Sequence, residues 1–544
     1  MRGGGAGRVL FVTSNGTGLG HLTRSMAIAR RLDPALEPLF LTLSAAAPVV
    51  RGLGFPVEYV ASYDRPCAGN DWRWTRRVRE RLRAAVGEAK PALVMFDGTH
   101  PYERLLPALR ASGAPLVWCR RGMWMARSDT APLWRSHLFD AVLEPGEFAA
   151  EADRGPTAAR RDEATVVAPI VLLDRTELLP REQAERELGL EAGRINALVQ
   201  LGQGEGVRET TARCLRRLAA DEGVQAAALS SSLAALGEVP EGVVRLEATY
   251  PMSRYLAAFD LAVSAAGYNA YHELIHLGPP TLFVPMPRQT DDQAARARYA
   301  HVIGVARACS GPDDPALGPL LDELLDAARR RAMRERLESL NVPNGAGAAA
   351  LWLEDLAGAG IAGPAGARRP RAPGLSDIAC HDNLGMPAAD EHRTPFSLRL
   401  RRASIFIASV PRTLVRLGGQ ILRRPRMRAV ALALGLAEGE LARRLESALD
   451  GVPYRPEQVL VITDRMEFGP LLAAGVGFEH LPAPGERQAE LADVPYQAFL
   501  RRRLGLILAE RPRPRRVLAL GDVPAGAAES LPGSIEPPPD RSVA

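Results

Sequence analysis

Cysteine is scarce in this 544-residue chain: Cys67, Cys119, Cys214, Cys309 and Cys380 stand far apart and odd in number. With no CxxC pair and no Cys/His cluster, neither a disulfide framework nor a zinc site is supported. A reducing cytoplasm is the compartment that fits this usage. Lysine is almost missing as well, Lys90 being the only one, so arginine is the default cation and its abundance says little about function. The formal net charge of +5 is too small to argue for nucleic acid as a partner. No apolar run reaches the roughly 18 residues that a membrane-spanning helix needs. Met1–Gly7 reads as a glycine-rich lead into a strand rather than a signal peptide.

What is present is a βα rhythm. Short continuous apolar runs recur at Val9–Thr13, Leu39–Leu43, Val57–Val60, Ala92–Phe96, Leu116–Cys119, Ala141–Leu143 and Thr165–Ala168. Helical spacing lies between them, as at Leu22–Leu32 and Trp74–Val86. Runs of this kind are expected of parallel strands covered on both faces. A second series follows at Ile195–Leu201, Ala226–Ser230, Val243–Leu246, Leu261–Ser264, Thr281–Val284 and Val305–Ala308, closed by a helix over Ala348–Leu356. The pattern predicts two doubly wound, Rossmann-like α/β domains, 1–174 and 175–357, facing across a cleft.

Two strands empty into small-residue turns that open helices. Ser14–His21 follows the first strand of the first half, and Ser264–Glu273 a strand of the second. Glycines let backbone approach a ligand, and a helix N-terminus favours an anion. Two such turns in two α/β halves suit a nucleotide sugar held between them better than a dinucleotide. His21, at the helix start, can take a proton from a hydroxyl, with helix capping as the plainer alternative. In the usual doubly wound order strand one lies beside strand four, so Asp97 should lie close to His21 and orient it; a loop cap is the alternative there. Gly202 and Gly204 mark another candidate phosphate cradle or a flexible turn. Glu273 can accept bonds from both ribose hydroxyls, while Asp292 and Gln293 can bond sugar hydroxyls; taken singly, each would read as a solvated helix residue.

The Ser264–Gln293 block resembles the donor-binding signature of GT-B glycosyltransferases, in the branch that contains MurG. Gly16-Thr17-Gly18-Leu19-Gly20-His21 resembles that branch's first glycine loop with one extra residue, and Gly202–Gly206 its second. Tyr250-Pro251-Met252 and Phe259-Asp260 resemble the segment that packs near the base. The resemblance covers roughly residues 8–357. It implies that Glu273 serves the ribose, Ala266 and Gly267 the diphosphate with Tyr268 and Asn269 beside them, and Asp292 and Gln293 the sugar. Gly18, Gly20, Gly202, Gly204, Tyr250 and Met252 complete the donor set, with His21 as base and Asp97 as its partner. The implied reaction is inverting and metal-independent transfer from a nucleotide-diphosphate sugar, a UDP-sugar first, to a lipid-linked or cell-envelope acceptor, with no cofactor. Two departures stand out: Glu205 in the second glycine loop would repel a diphosphate if it pointed inward, and the acceptor side, with Trp118, Arg120, Arg121 and Trp124, matches no particular member. Gly18-Leu19-Gly20-His21-Leu22-Thr23-Arg24 also resembles the Gly-x-Gly-His-x-x-Arg motif of UDP-sugar hydrolases acting on bacillosamine-type sugars. Hydrolysis, or epimerisation on the same fold, is the competing activity.

Beyond residue 357 the chain changes character. Residues 358–392 read as a linker. The stretch 393–428 holds ten arginines and no acid among apolar residues. Such a segment suits an anionic membrane surface, which would place the protein peripherally on the inner face of the plasma membrane; a solvated face is the alternative. Residues 429–544 resume an α/β pattern of unknown role. Val459–Thr463 and its glycine turn parallel Leu39–Phe55, and Arg501–Asp522 parallels Arg76–Asp97. A partial duplication lacking the site and a chance recurrence of βα grammar both account for that echo.

Overall fold

The computed structural model describes residues 7–14, 19–202, 205–229, 239–246, 249–359, 426–483, 494–531 and 534–536. Gly18, Gly204, nearly all of the linker and residues 393–425 of the basic stretch lie outside the described residues. By its contacts the chain divides into two units, one of Met1–Val57, Ala89–Tyr102 and Leu109–Arg371, the other of Glu58–Glu88, Glu103–Ala108 and Ala372–Ala544.

The first unit carries the two predicted α/β halves. Strands β1 (Gly7–Thr13), β2 (Leu36–Thr42), β3 (Val57–Tyr59), β4 (Leu93–Asp97), β5 (Leu116–Cys119), β6 (Ala141–Pro145) and β7 (Thr165–Val167) form a parallel sheet in the order β3-β2-β1-β4-β5-β6-β7. At its β3 edge the chain passes into the second unit. Every residue of β4 and β5 is buried, as their unbroken apolar runs require. Strands β8 (Ile195–Gln200), β9 (Val224–Leu229), β10 (Val244–Leu246), β11 (Leu261–Ser264), β12 (Thr281–Phe283) and β13 (Arg307–Ala308) form the other sheet, ordered β10-β9-β8-β11-β12-β13. The Ala346–Ala359 helix that ends this half shares one apolar core with Leu22, Met26 and Ile28 of the Gly20–Ala29 helix, tying the second half back to the first.

The second unit is built on β14 (Ala429–Ala433), β15 (Val459–Thr463), β16 (Gly477–His480), β17 (Arg516–Ala519) and β18 (Ile535–Glu536), all parallel in the order β16-β15-β14-β17-β18. That order repeats β3-β2-β1-β4-β5, which duplication and recurrent grammar both predict. The glycine-rich stretch at Gly475–Phe478 is only half turn: Gly475, at φ +68°, makes the bend, and β16 starts at Gly477. There a Cβ would stand 2.5 Å from the Pro66 carbonyl, so only glycine lets the strand seat.

Chain order assigns Glu58–Glu88 to the first half, yet these residues cover the third sheet. Tyr59 stacks on Phe478 and tilts against Phe468, with ring centroids at 5.3 and 5.1 Å. Arg503 Nη2 bonds Glu88 at 2.6 Å and Glu58 at 3.1 Å, and Arg81 bonds Glu58 at 2.7 Å. Arg511 holds Glu479 at 2.6 Å. These buried charges are paired, as burial demands.

Candidate active site

Thr13 ends β1 in register with Asp97, the last residue of β4, so the strand order alone brings the two turns side by side. Among the described residues, no side chain caps the first amides of the Gly20–Ala29 helix. Its second residue, His21, places Nδ1 2.6 Å from Asp97 Oδ1. The imidazole is recessed, with 18% of its side chain accessible, and its aspartate partner is fully buried. Arg24, one turn on, donates from Nη2 to the same Oδ1 at 2.7 Å and lies 3.1 Å from His21 Nδ1. A guanidinium only donates, so with Nδ1–H directed at Asp97 the Arg24–His21 approach is a contact rather than a bond. Nε2 is left unprotonated, the form a general base needs.

The electrostatics agree. Burial, the largest influence, lowers the His21 pKa; Asp97 raises it, and with the charges of Arg24 and Arg121 also lowering it the imidazole stays below its ordinary value. For Asp97, burial pushes upward, but Arg24 and His21 outweigh it and hold the carboxyl below its ordinary range. The pair therefore rests as carboxylate and neutral imidazole near neutral pH.

On the donor side, Ala266 is buried and Gly267 opens the Tyr268–Leu277 helix, again with no capping side chain. Glu273 lies one turn into that helix and makes no hydrogen bond or ion pair among the described residues. Burial alone pushes its carboxyl up to about 7. Tyr250 puts its hydroxyl 3.0 Å from Thr23 Oγ1, Met252 is buried beside it, and Gly202 bends at φ +88°. Gly20 has open space at its Cβ position.

Several predicted donor residues have other work in this structure. Tyr268 donates to the Gly146 carbonyl and accepts from the Ile170 amide, both at 3.0 Å. Asn269 donates to the Gly20 carbonyl at 3.3 Å, and its Oδ1 has no partner among the described residues. Asp292 caps the Gln293–Val302 helix through the Ala295 amide, and buried Gln293 accepts from the Met286 amide. Phe259 and Asp260 precede β11, at the end opposite Ala266, where Asp260 is held by Arg181 at 2.8 Å. Trp118 and Arg120, expected on the acceptor side, are fully buried. Trp118 donates to the Gly98 carbonyl at 2.8 Å, and Arg120 pairs with Glu144 and Glu163.

A buried charge network escaped the sequence reading. Arg296 bonds Glu147 of the first half at 2.8 Å, Asp291 at 3.0 Å and the Ala266 carbonyl at 2.8 Å. Arg121 reaches the same Asp291 oxygen at 3.3 Å, and His272 Nε2 lies 3.3 Å from Glu147. Trp124 bridges Asp291 along the backbone. These residues share no local pattern, so no spacing could reveal them. Arg24 was visible: it stands three positions from His21, on the same helix face.

Residues 229–329 match the glycosyltransferase family 28 C-terminal domain. A UDP-N-acetylglucosamine–N-acetylmuramyl-(pentapeptide) pyrophosphoryl-undecaprenol N-acetylglucosamine transferase of Halorhodospira halophila is 37% identical over 376 residues, covering 64% of this chain and 99% of the relative. The protein of the same description from Clavibacter sepedonicus is 30% identical over 364 residues, covering 62% and 94%. Among solved structures, MurG of Acinetobacter baumannii is 16% identical with a TM-score of 0.43, covering 64% of this chain and 99% of that one. With the Halorhodospira halophila relative 37% identical and spanned almost end to end, the chain belongs to the MurG-like family 28 glycosyltransferases.

Proposed function

We propose that this glycosyltransferase moves N-acetylglucosamine from UDP-N-acetylglucosamine to a lipid-linked acceptor, by an inverting, metal-independent displacement. The donor and acceptor class are those in the names of its relatives. The observation that carries the mechanism is the His21–Asp97 contact of 2.6 Å at the mouth of an uncapped helix. Ionised Glu273 accepts from the ribose hydroxyls, and the open amides at Gly267 meet the diphosphate. The acceptor oxygen attacks the anomeric carbon as the bond to the diphosphate breaks. His21 Nε2 takes the hydroxyl proton, Asp97 stabilises the imidazolium, and UDP leaves. Asp292 and Gln293 serve the sugar through the loop they hold in place.

A mass-spectrometric screen of nucleotide sugars, with and without a lipid-linked N-acetylmuramyl acceptor, tests this. Glycosylated acceptor and UDP, formed only with UDP-N-acetylglucosamine and undiminished by a chelator, are expected. Free sugar or an epimer with the acceptor unchanged would favour hydrolysis or epimerisation instead.

We further propose peripheral contact of residues 393–428 with an anionic inner membrane face. The support is the sequence itself, ten arginines without an acid. Equal flotation on neutral and anionic liposomes would overturn it.

A further inference from the structure

We propose that Arg24 is a positioning residue for His21, fixing the imidazole on Asp97 from a seat against the donor-side Tyr268 ring. The proposal rests on the reading of His21 as base and goes beyond it, because nothing in that reading requires an arginine.

Two donors meet at one oxygen. Asp97 Oδ1 accepts from His21 at 2.6 Å and from Arg24 at 2.7 Å, while Oδ2 is buried without a partner among the described residues. Arginine–carboxylate pairs are frequently bidentate, the fork spanning both oxygens. Arg24 instead brings one nitrogen to the oxygen His21 already uses and leaves the other unpaired. Its place is therefore set relative to the imidazole as much as to the carboxylate.

The far side of the guanidinium is held from the other half of the unit. Its carbon lies 5.2 Å from the Tyr268 ring centroid, a cation–π distance. That ring cannot swing, because the Tyr268 hydroxyl is bonded to Gly146 and Ile170. Tyr268 directly follows Gly267 at the start of the donor-side helix. Two neighbouring contacts grip the same turn: Asn269 holds the Gly20 carbonyl and Tyr250 meets Thr23. The base is thus oriented jointly by its own strand neighbour and by the donor half. The charged groups facing His21 are Asp97 from β4, Arg24 from its own helix, Arg121 beyond β5 and His100 beyond β4.

The test is an isotope-edited NMR titration of the His21 ring in the full chain, run on wild type, Arg24→Met and Arg24→Lys, alongside kcat and donor KM across pH. Arg24 opposes the imidazolium, so in Arg24→Met His21 should titrate about one pH unit higher, and the acidic limb of kcat/KM should move the same way. Arg24→Lys keeps the charge and loses the shared seat: His21 should titrate near wild type while kcat falls roughly tenfold with donor KM unchanged. An unmoved His21 titration in Arg24→Met, or wild-type kcat in Arg24→Lys, overturns the proposal. If Arg24→Met does not fold, Arg24→Lys decides alone. Retained turnover in His21→Ala would instead sink the base reading, and it leaves the titration result standing on its own.

Discussion

Past the carboxyl end of β1 comes a helix whose first amides no described side chain caps, beside an aspartate that holds a histidine and an arginine. At the carboxyl end of β14, the matching strand of the third sheet, the turn is filled by carboxylates of its own unit. The Gly435 amide bonds Asp464 at 3.0 Å, the Gly439 amide bonds Glu467 at 3.2 Å, and Asp522 stands 3.0 Å from where a Gly435 Cβ would be. Gly521 closes the gap further, its Cβ position lying 2.1 Å from the Leu434 carbonyl. Both strand ends lie where open α/β sheets bind ligands, but the second is lined by the carboxylates of Asp464, Glu467 and Asp522, which would repel an anion. Topology supplies the location; particular residues supply the site.

The largest effect that would separate the two regions is on turnover. His21→Ala should lower kcat on the order of 10²–10⁴-fold with donor affinity nearly intact. Asp522→Ala, at the end of the third sheet, should leave kcat at the wild-type value. A full-rate His21→Ala enzyme would make the first turn as inert as the second.

Stability should separate them differently. Arg503→Met removes the cation that Glu58 and Glu88 share in the second unit, leaving Glu58 to Arg81 and Glu88 to Arg502, at a cost of about 1–3 kcal/mol. Calorimetry should show a transition at lower temperature. An unchanged thermogram would mean that these pairs are solvated and do not hold the unit together.

Glu273 sharpens the contrast through pH. With its carboxyl raised to about 7, wild-type donor affinity should weaken as pH falls through that value, because a protonated carboxyl no longer accepts from two hydroxyls. At pH 8, Glu273→Gln should bind UDP-sugar roughly 10–150-fold more weakly, the loss of a charged hydrogen bond, with the gap closing in acid. The stability effect has the opposite sense. A carboxyl whose folded pKa is raised favours the fold below its unfolded pKa and loses that benefit as pH rises through the folded value. Glu273→Gln should therefore raise Tm by about 2–4 °C at pH 8, and not at pH 4. Equal Tm differences at both pH values would show that the carboxylate is solvated.

The fold was largely legible because parallel strands covered on both faces announce themselves as unbroken apolar runs; Val459–Thr463 was read to the residue. His21 and Asp97 were legible together because strand order brings adjacent strand ends side by side. What could not be read depends on distant partners. Glu58–Glu88 carries ordinary helical spacing, and only its contacts reveal which sheet it covers. Glu147, Asp291 and Arg296 look like surface charges until the fold buries them against one another. Tyr268 and Asn269 fell in the donor motif, yet their polar groups reach into the first half, which a linear motif cannot encode.

The central claim is inverting glycosyl transfer with His21 as base. Proton NMR of the product formed from UDP-N-acetylglucosamine and a lipid-linked acceptor, by wild type and by His21→Ala, tests it most directly. An anomeric coupling of the configuration opposite to the donor's is expected, with the signal nearly lost in His21→Ala. A product that retains the donor's configuration, or one formed equally well without His21, would contradict it.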